Sequence, residues 1–269
     1  MHGRFPFGPF LLAALVGSAG AAAAHPAELK PVACEGTYKL HLQGVATGEE
    51  AIFWCFTDQL VKTDSDGKVR KQIAVPGHHG DLCVHDGKLY VAVYLRAADR
   101  KVGDAVSWVY EYDTAELRFI RRYPVDEAIH RAGGIAHHQG RFLIVGGLPE
   151  GIEENLVLEY DSEFRFVRKH ALKSGHTKLG IQTATFGDGH WWFGCYDKVL
   201  LKADESLRTV KRFEFDCAMG IVAVSPGRFL VAQGGGAPQG RHTARLVSAR
   251  PHSECGLVVE SPASDDRPR

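Results

Sequence analysis

Apolar and polar residues alternate in short runs along most of the chain, and the runs recur. One unit is an alternating strand that ends in aspartate, followed by a turn and a second alternating strand. It appears as Leu60-Val61-Lys62-Thr63-Asp64 with Gly67-Lys68-Val69, and again as Trp108 to Asp113 with Leu117-Arg118-Phe119. Further copies are Leu156 to Asp161 with Phe164-Arg165-Phe166, and Val199 to Asp204 with Leu207-Arg208. Their aspartates stand 49, 48 and 43 residues apart. An aspartate in that place starts a turn by accepting bonds from backbone N–H groups just ahead of it, so each unit predicts a hairpin.

A second unit lies between these hairpins and is richer in apolar and small residues. Gly80 to Val93 reads as strand, Asp86-Gly87 turn, strand. Its counterparts are Gly133 to Gly146 (turn Gln139-Gly140), Gln182 to Cys195 (Asp188-Gly189) and Gly220 to Gln233 (Pro226-Gly227). An earlier copy runs from His41 to Phe56 and turns at Gly48. Glycine supplies the positive φ that two-residue hairpins demand.

Interleaving the two units gives an all-β chain: a five-bladed β-propeller with four antiparallel strands per blade. The blades are expected at 39–73, 80–123, 133–171, 182–214 and 219–260. The last outer hairpin, around Leu246-Val247 and Leu257-Val258, lacks the aspartate.

The ends set the compartment. Arg4, an apolar run from Phe10 to Val16 and small residues through Ala24 read as a secretory signal cleaved before His25. The run is too short to span a bilayer. The expected organisation is a signal peptide at 1–24, an N-terminal segment at 25–38, the propeller at 39–260 and a disordered tail at 261–269. Periplasmic or secreted placement follows, with no stable membrane span after cleavage.

Charge is balanced, 32 Lys+Arg against 32 Asp+Glu, which argues against a nucleic-acid partner because counterion release needs a concentrated basic footprint. The six cysteines (Cys34, Cys55, Cys83, Cys195, Cys217, Cys255) form no CxxC pair. Cys34 and Cys255 bracket the folded region, and a disulfide between them is expected to fasten its ends.

The repeat resembles that of exported bacterial β-propellers at large, the NHL, PQQ-binding-like and lactonase-type proteins, over nearly all of the mature chain. The resemblance implies a ring of blades around a channel and names no activity. Lactonase-type propellers hold a calcium-like ion on Asn, Asp and Glu oxygens. Here Asn155 is the only asparagine and sits in an outer strand, so that activity is not expected. A Gly-x-Ser-x-Gly elbow is absent, and so is a credible Ser–His–Asp set. Trp54, Trp108, Trp191 and Trp192 are expected to pack between blades.

In a propeller, the loops entering each blade and those joining second to third strands meet on one face. Histidine recurs in the entry loops, as His41, His78-His79 before Asp81, His130-Arg131, and His176 before Lys178. The first reading is a face that binds an unknown protein or small molecule through His78, His79, Asp81, His130, Arg131, His176 and Lys178. The alternative is a metal-dependent hydrolase or oxidoreductase. In it His41, His79, His130 and His176 would hold a divalent transition metal, with Asp81 or Glu127 as general base. That arrangement looks superficially like the iron site of carotenoid oxygenases. No cofactor is certain from the sequence, since loop histidines often only cap carbonyls or face water. The run Gly234-Gly235-Gly236 reads as a flexible loop on the same face.

Overall fold

The computed structural model describes residues 31–95 and 106–260. The stretches expected to be a signal peptide and a disordered tail, and the basic Arg96–Lys101 stretch, lie outside the described residues. Among those described, no helix is long and apolar enough to cross a membrane.

Each blade is built as the repeats predict. Blade one comprises β2 (Gly44–Thr47), β3 (Ile52–Cys55), β4 (Gln59–Thr63) and β5 (Val69–Ala74), in that order across the sheet. Blade two is β6 (His78–His85), β7 (Lys88–Leu95), β8 (Val106–Asp113) and β9 (Phe119–Pro124). Blade three is β10 (Gly134–His138), β11 (Arg141–Val145), β12 (Asn155–Asp161) and β13 (Phe166–Leu172). Blade four is β14 (Ile181–Gly187), β15 (His190–Cys195), β16 (Val199–Asp204) and β17 (Val210–Glu214). Blade five is β18 (Ile221–Ser225), β19 (Arg228–Ala237) and β20 (Arg241–His252), whose outer edge is shared by β21 (Gly256–Val259) and by β1 (Val32–Ala33). The innermost strands β2, β6, β10, β14 and β18 neighbour one another, and β18 meets β2 to close the ring.

The core is five apolar layers, one between each pair of blades. Phe53 and Leu60 meet Leu89 and Tyr112; Tyr90 and Val109 meet Phe142 and Tyr160; Leu143 and Val157 meet Trp191 and Phe193. Trp192 and Leu200 meet Phe229 and Val247, and Leu230 and Leu246 meet Trp54 and Val61. Trp54, Trp191 and Trp192 are fully buried as expected, whereas Trp108 is only partly covered, with the Arg122 guanidinium 4.2 Å from its ring centre.

The four aspartates sit at equivalent turns between third and fourth strands. Asp64 Oδ1 accepts from the Lys68 N–H at 2.9 Å, Asp113 Oδ1 from Glu116 at 2.7 Å, and Asp161 Oδ1 from Arg165 at 3.0 Å. Asp204 Oδ1 accepts from Arg208 at 3.1 Å. One turn residue then takes a positive φ: Gly67 (84°), Leu117 (56°), Phe164 (57°) or Leu207 (61°). The three non-glycines are buried in the layer facing the preceding blade. The strained backbone is the cost of driving an apolar plug into that layer.

Gly67 differs because the N-terminal strand passes over it. A Cβ there would collide with the Ala33 carbonyl oxygen. β1 pairs with β20 (Val32 with Leu246, Ala33 with Arg245), and the Cys34 N–H donates to the Ala244 carbonyl at 2.9 Å. Residues preceding position 39 thus complete the last blade and close the ring. Gly67→Ala should therefore cost about 2 kcal/mol or more, combining αL strain with displacement of β1. Urea unfolding checks the cost, and faster hydrogen exchange at the Cys34 amide checks the displacement.

That closure replaces the expected disulfide, which does not form: Cys34 and Cys255 are both free thiols. Cys34 is buried against Tyr38, its Sγ 3.2 Å from the hydroxyl, and burial pushes the thiol up to about 11. Cys255 is exposed in the turn after β20, beside His252. Ala244 and His252 are eight residues apart along one strand, so the two cysteines flank points roughly 25 Å from each other. The ends are fastened by backbone pairing at two separate places on β20.

Candidate functional site

The upper face carries the entry loops and the connections between second and third strands. Five blades deliver polar side chains to the mouth of the channel there. His41 and Gln43 lead into β2, and the Gln43 side-chain amide donates to His41 Nε2 at 2.7 Å. The amide also donates to the Thr57 hydroxyl at 3.2 Å, which fixes the acceptor face of His41. His78 opens β6 and lies directly across from Tyr94 on β7, so the two rings stack with centroids 4.4 Å apart. The Arg131 guanidinium, from the loop entering β10, stands 5.5 Å from the Tyr94 ring centre. Tyr196, in the turn after β15, is close enough to Tyr94 and Arg131 to feel both. His242 of β20 faces His41 edge-on at 6.0 Å.

Burial governs the charge state of this ring of groups. It pulls His78 down to about 4, helped by the nearby His41 and Arg131. His41 is lowered by burial and by His242, and His130 by burial and by Arg131. At neutral pH these imidazoles are uncharged. The Nδ1 atoms of His78 and His130 are enclosed without a hydrogen-bond partner.

Beside the mouth lies a groove of about 830 Å³ between the N-terminal segment and the β19–β20 hairpin, with His41, Asp216, Met219 and His242 on its walls. The hairpin is longer than its counterparts. Gly234 to Gly236, read from the sequence as a flexible loop, are paired strand residues opposite His242 to Ala244. Arg241 tethers the hairpin tip to Thr37, its Nε donating to the hydroxyl at 2.7 Å and its Nη2 to the carbonyl.

Beneath the mouth the channel is closed by Asp81. β6 carries a bulge in which Gly80 and Asp81 together stand opposite Ala92. The bulge re-aims the Asp81 side chain. Its Oδ2 accepts from the Ala184 N–H of blade four at 3.0 Å, while its own N–H donates to the Gly133 carbonyl of blade three at 2.9 Å. A Cβ on Gly44 of blade one would collide with the carboxylate, so glycine is what lets the three inner strands approach. Burial holds the Asp81 carboxyl well above the ordinary aspartate value, against the pull of backbone N–H groups at Ala184, Leu82 and Val45. Below it the channel opens into a cavity of about 190 Å³ lined by residues including Val45, Leu82, Cys83, Ala136, Ala184 and Ile221.

The sequence-derived set therefore divides. His41, His78 and Arg131 meet at the mouth. His79, next along β6, points the other way: it is fully buried between blades one and two, with Nε2 2.8 Å from the Tyr112 hydroxyl. His130 is wedged against Gly147. His176 is held at the third-to-fourth blade junction, its Nδ1 2.9 Å from the Ile152 carbonyl and its N–H donating to Glu153. Lys178 is exposed and pairs with Asp197 at 3.6 Å. His41, His79, His130 and His176 consequently do not form the metal centre of the alternative reading. Among the described residues, no group of three or more His, Cys, Asp or Glu side chains is placed to hold an ion. For His79 the reason is strand alternation, since consecutive His78 and His79 project to opposite faces of β6. Gln43, Tyr94, Tyr196 and His242 were missed. Tyr94 could have been found as the cross-strand partner of His78, had the bulge been allowed for.

No family model matches the chain, and no curated protein does. Solved structures do. The glutaminyl cyclase of Myxococcus xanthus superposes with a TM-score of 0.55 at 12% identity, over 86% of this chain and 98% of that one. The GH43 protein of Bacillus licheniformis gives 0.63 at 10% identity, over 86% of this chain and 57% of its own. A xylan β-1,4-xylosidase from Bacillus halodurans gives 0.58 at 12%, over 86% and 59%. The likeness is one of fold. The chain is a five-bladed β-propeller with enzymes among its structural neighbours, and it spans little more than half the length of the two glycosidase-type proteins.

Proposed function

We propose that the chain is an exported propeller that binds a small ligand or a partner segment at its upper mouth. The observation that carries this reading is the convergence of His41, His78, Tyr94, Arg131, Tyr196 and His242 from five blades onto one opening beside an open groove. Concave sites with a few converging polar groups among aromatic rings are where ligands bind. The channel is stoppered beneath by Asp81, so the mouth acts as a pocket. The signal-like N-terminus supports work outside the cytoplasm. A metal-dependent enzyme lacks an assembled ligand set, because the imidazoles it needs bond to Tyr112 or the Ile152 carbonyl instead.

A thermal-shift screen of soluble metabolites tests the proposal. Compounds that raise Tm of the parent chain should lose that effect in Tyr94→Ala and His41→Ala, and keep it in Lys169→Ala on the outer rim. Stabilising compounds indifferent to both mouth variants would place binding elsewhere and sink the reading.

A further inference from the structure

We infer that the ligand of this mouth carries a single carboxylate, gripped by Arg131. The inference rests on the binding reading above and names its ligand class. Several arginines of the blades sit on carboxylates, Arg70 on Asp64 at 2.7 Å, Arg121 on Glu111 at 2.8 Å, Arg165 on Asp161 at 2.7 Å and Arg168 on Glu159 at 2.9 Å, and others donate to carbonyls or hydroxyls, as Arg212 does to Ser174 and His176 and Arg241 to Thr37. Arg131 is half-buried and makes no ion pair or hydrogen bond to a carboxylate among the described residues; it stands over the Tyr94 ring, and His78, His130 and Tyr196 are near enough to feel its charge. A charge drawn out of water without a partner is costly, and folded chains do not keep one without use. A guanidinium fork lying along an aromatic ring is pre-set for two parallel bonds to a planar carboxylate.

The surroundings set the charge of the guest. His41, His78 and His130 are neutral, for the reasons of burial given above, which leaves Arg131 as the fixed cation among the described residues beside Tyr94. Among the described residues, the carboxylates of this face include Asp58, Glu127, Glu153, Asp197 and Asp216; Glu127 accepts from the Tyr160 hydroxyl, Glu153 from the His176 N–H and Asp197 pairs with Lys178, and none is ion-paired to Arg131. A monoanion is the complement of that set, whereas a phosphate dianion brings one charge too many. Tyr94, already stacked with His78, supplies a flat wall for an apolar or planar body behind the carboxylate.

Benzoate, benzamide and inorganic phosphate are suitable probes, read by calorimetry and by NMR titration of the His78 ring. Benzoate should bind saturably and raise the His78 pKa, since an anion beside the ring favours its protonated form. Benzamide should bind roughly tenfold more weakly or worse, as should benzoate to Arg131→Gln; Arg131→Lys, which keeps the charge but not the fork, should fall between. The full chain with an unchanged Tm is the requirement for each variant. Equal affinity for benzamide, tighter binding of phosphate, or no saturable benzoate binding would each overturn the inference. So would Arg131→Gln binding benzoate as the parent does. If neutral or cationic metabolites bind and depend on Tyr94 and His41, the mouth still binds ligands and only the carboxylate assignment fails.

Discussion

Replacing Phe164 with alanine should destabilise the fold by about 3–5 kcal/mol, and replacing it with glycine should cost about 1 kcal/mol less than alanine does. The ring is the plug between blades two and three. It stacks on Phe142 at 4.4 Å and on Tyr123 at 4.2 Å, and lies 5.6 Å from Tyr90. Either substitution empties that space. The residue, however, holds φ at 57°, where a Cβ is crowded by backbone and glycine is not. Alanine keeps the strain and loses the plug; glycine loses both. At an ordinary strand position the order is reversed. Urea midpoints for the three chains give the comparison. A glycine variant weaker than the alanine one would show that the turn is not under the strain assigned to it.

The same turn explains why so much of the fold was legible. Blade repetition places Asp64, Asp113, Asp161 and Asp204 where a short acceptor is needed to start a turn, and that local chemistry can be read without knowing the ring. The apolar residue three or four positions later could be read as a strand start, yet its positive φ could not, because it follows from packing against the preceding blade. In blade five the outer hairpin around Leu246-Val247 and Leu257-Val258 is found in β20 and β21, but the share of the outer edge taken by β1 was not legible, since two residues make no periodic signal. Closure by Cys34 and Cys255 was a reasonable inference from count and compartment; backbone pairing to β20 leaves no trace in composition.

The site was legible at the level of loops and not of side chains. Histidines do recur in the entry loops, and three of the named residues reach the mouth. Alternation sends His79 into the core, and the Glu153 loop pulls His176 outward. Tyr94 and Tyr196 come from the ends of second strands, where an aromatic residue reads as core. Asp81 was read as a ligand-binding residue or a general base, and the bulge makes it a strut.

Asp81→Ala should accordingly cost about 3 kcal/mol, since it leaves the buried Ala184 N–H without its acceptor at the point where inner strands meet. Asp81→Asn keeps an acceptor oxygen for that N–H, and its effect should depend on pH. Burial raises the folded-state pKa of Asp81 well above the ordinary 3.8, so the folded chain holds this proton more tightly than the unfolded chain does. Between the two values the native state binds more protons, and stability contributed at this position falls as pH rises. The paired carboxylates act in the opposite sense: Glu111 is lowered by Arg121 and Lys88, and Glu159 falls to about 2 through Arg168 and His170. The difference between the parent chain and Asp81→Asn removes that common background. Measured by urea unfolding from pH 4 to pH 8, the asparagine variant should gain on the parent steadily as pH rises, until Asp81 has ionised in the folded state. A difference that stays flat across the range would mean that the proton is not held there. A parent chain that gains on the variant would mean that the N–H groups of Ala184, Leu82 and Val45 outweigh burial and keep the strut charged.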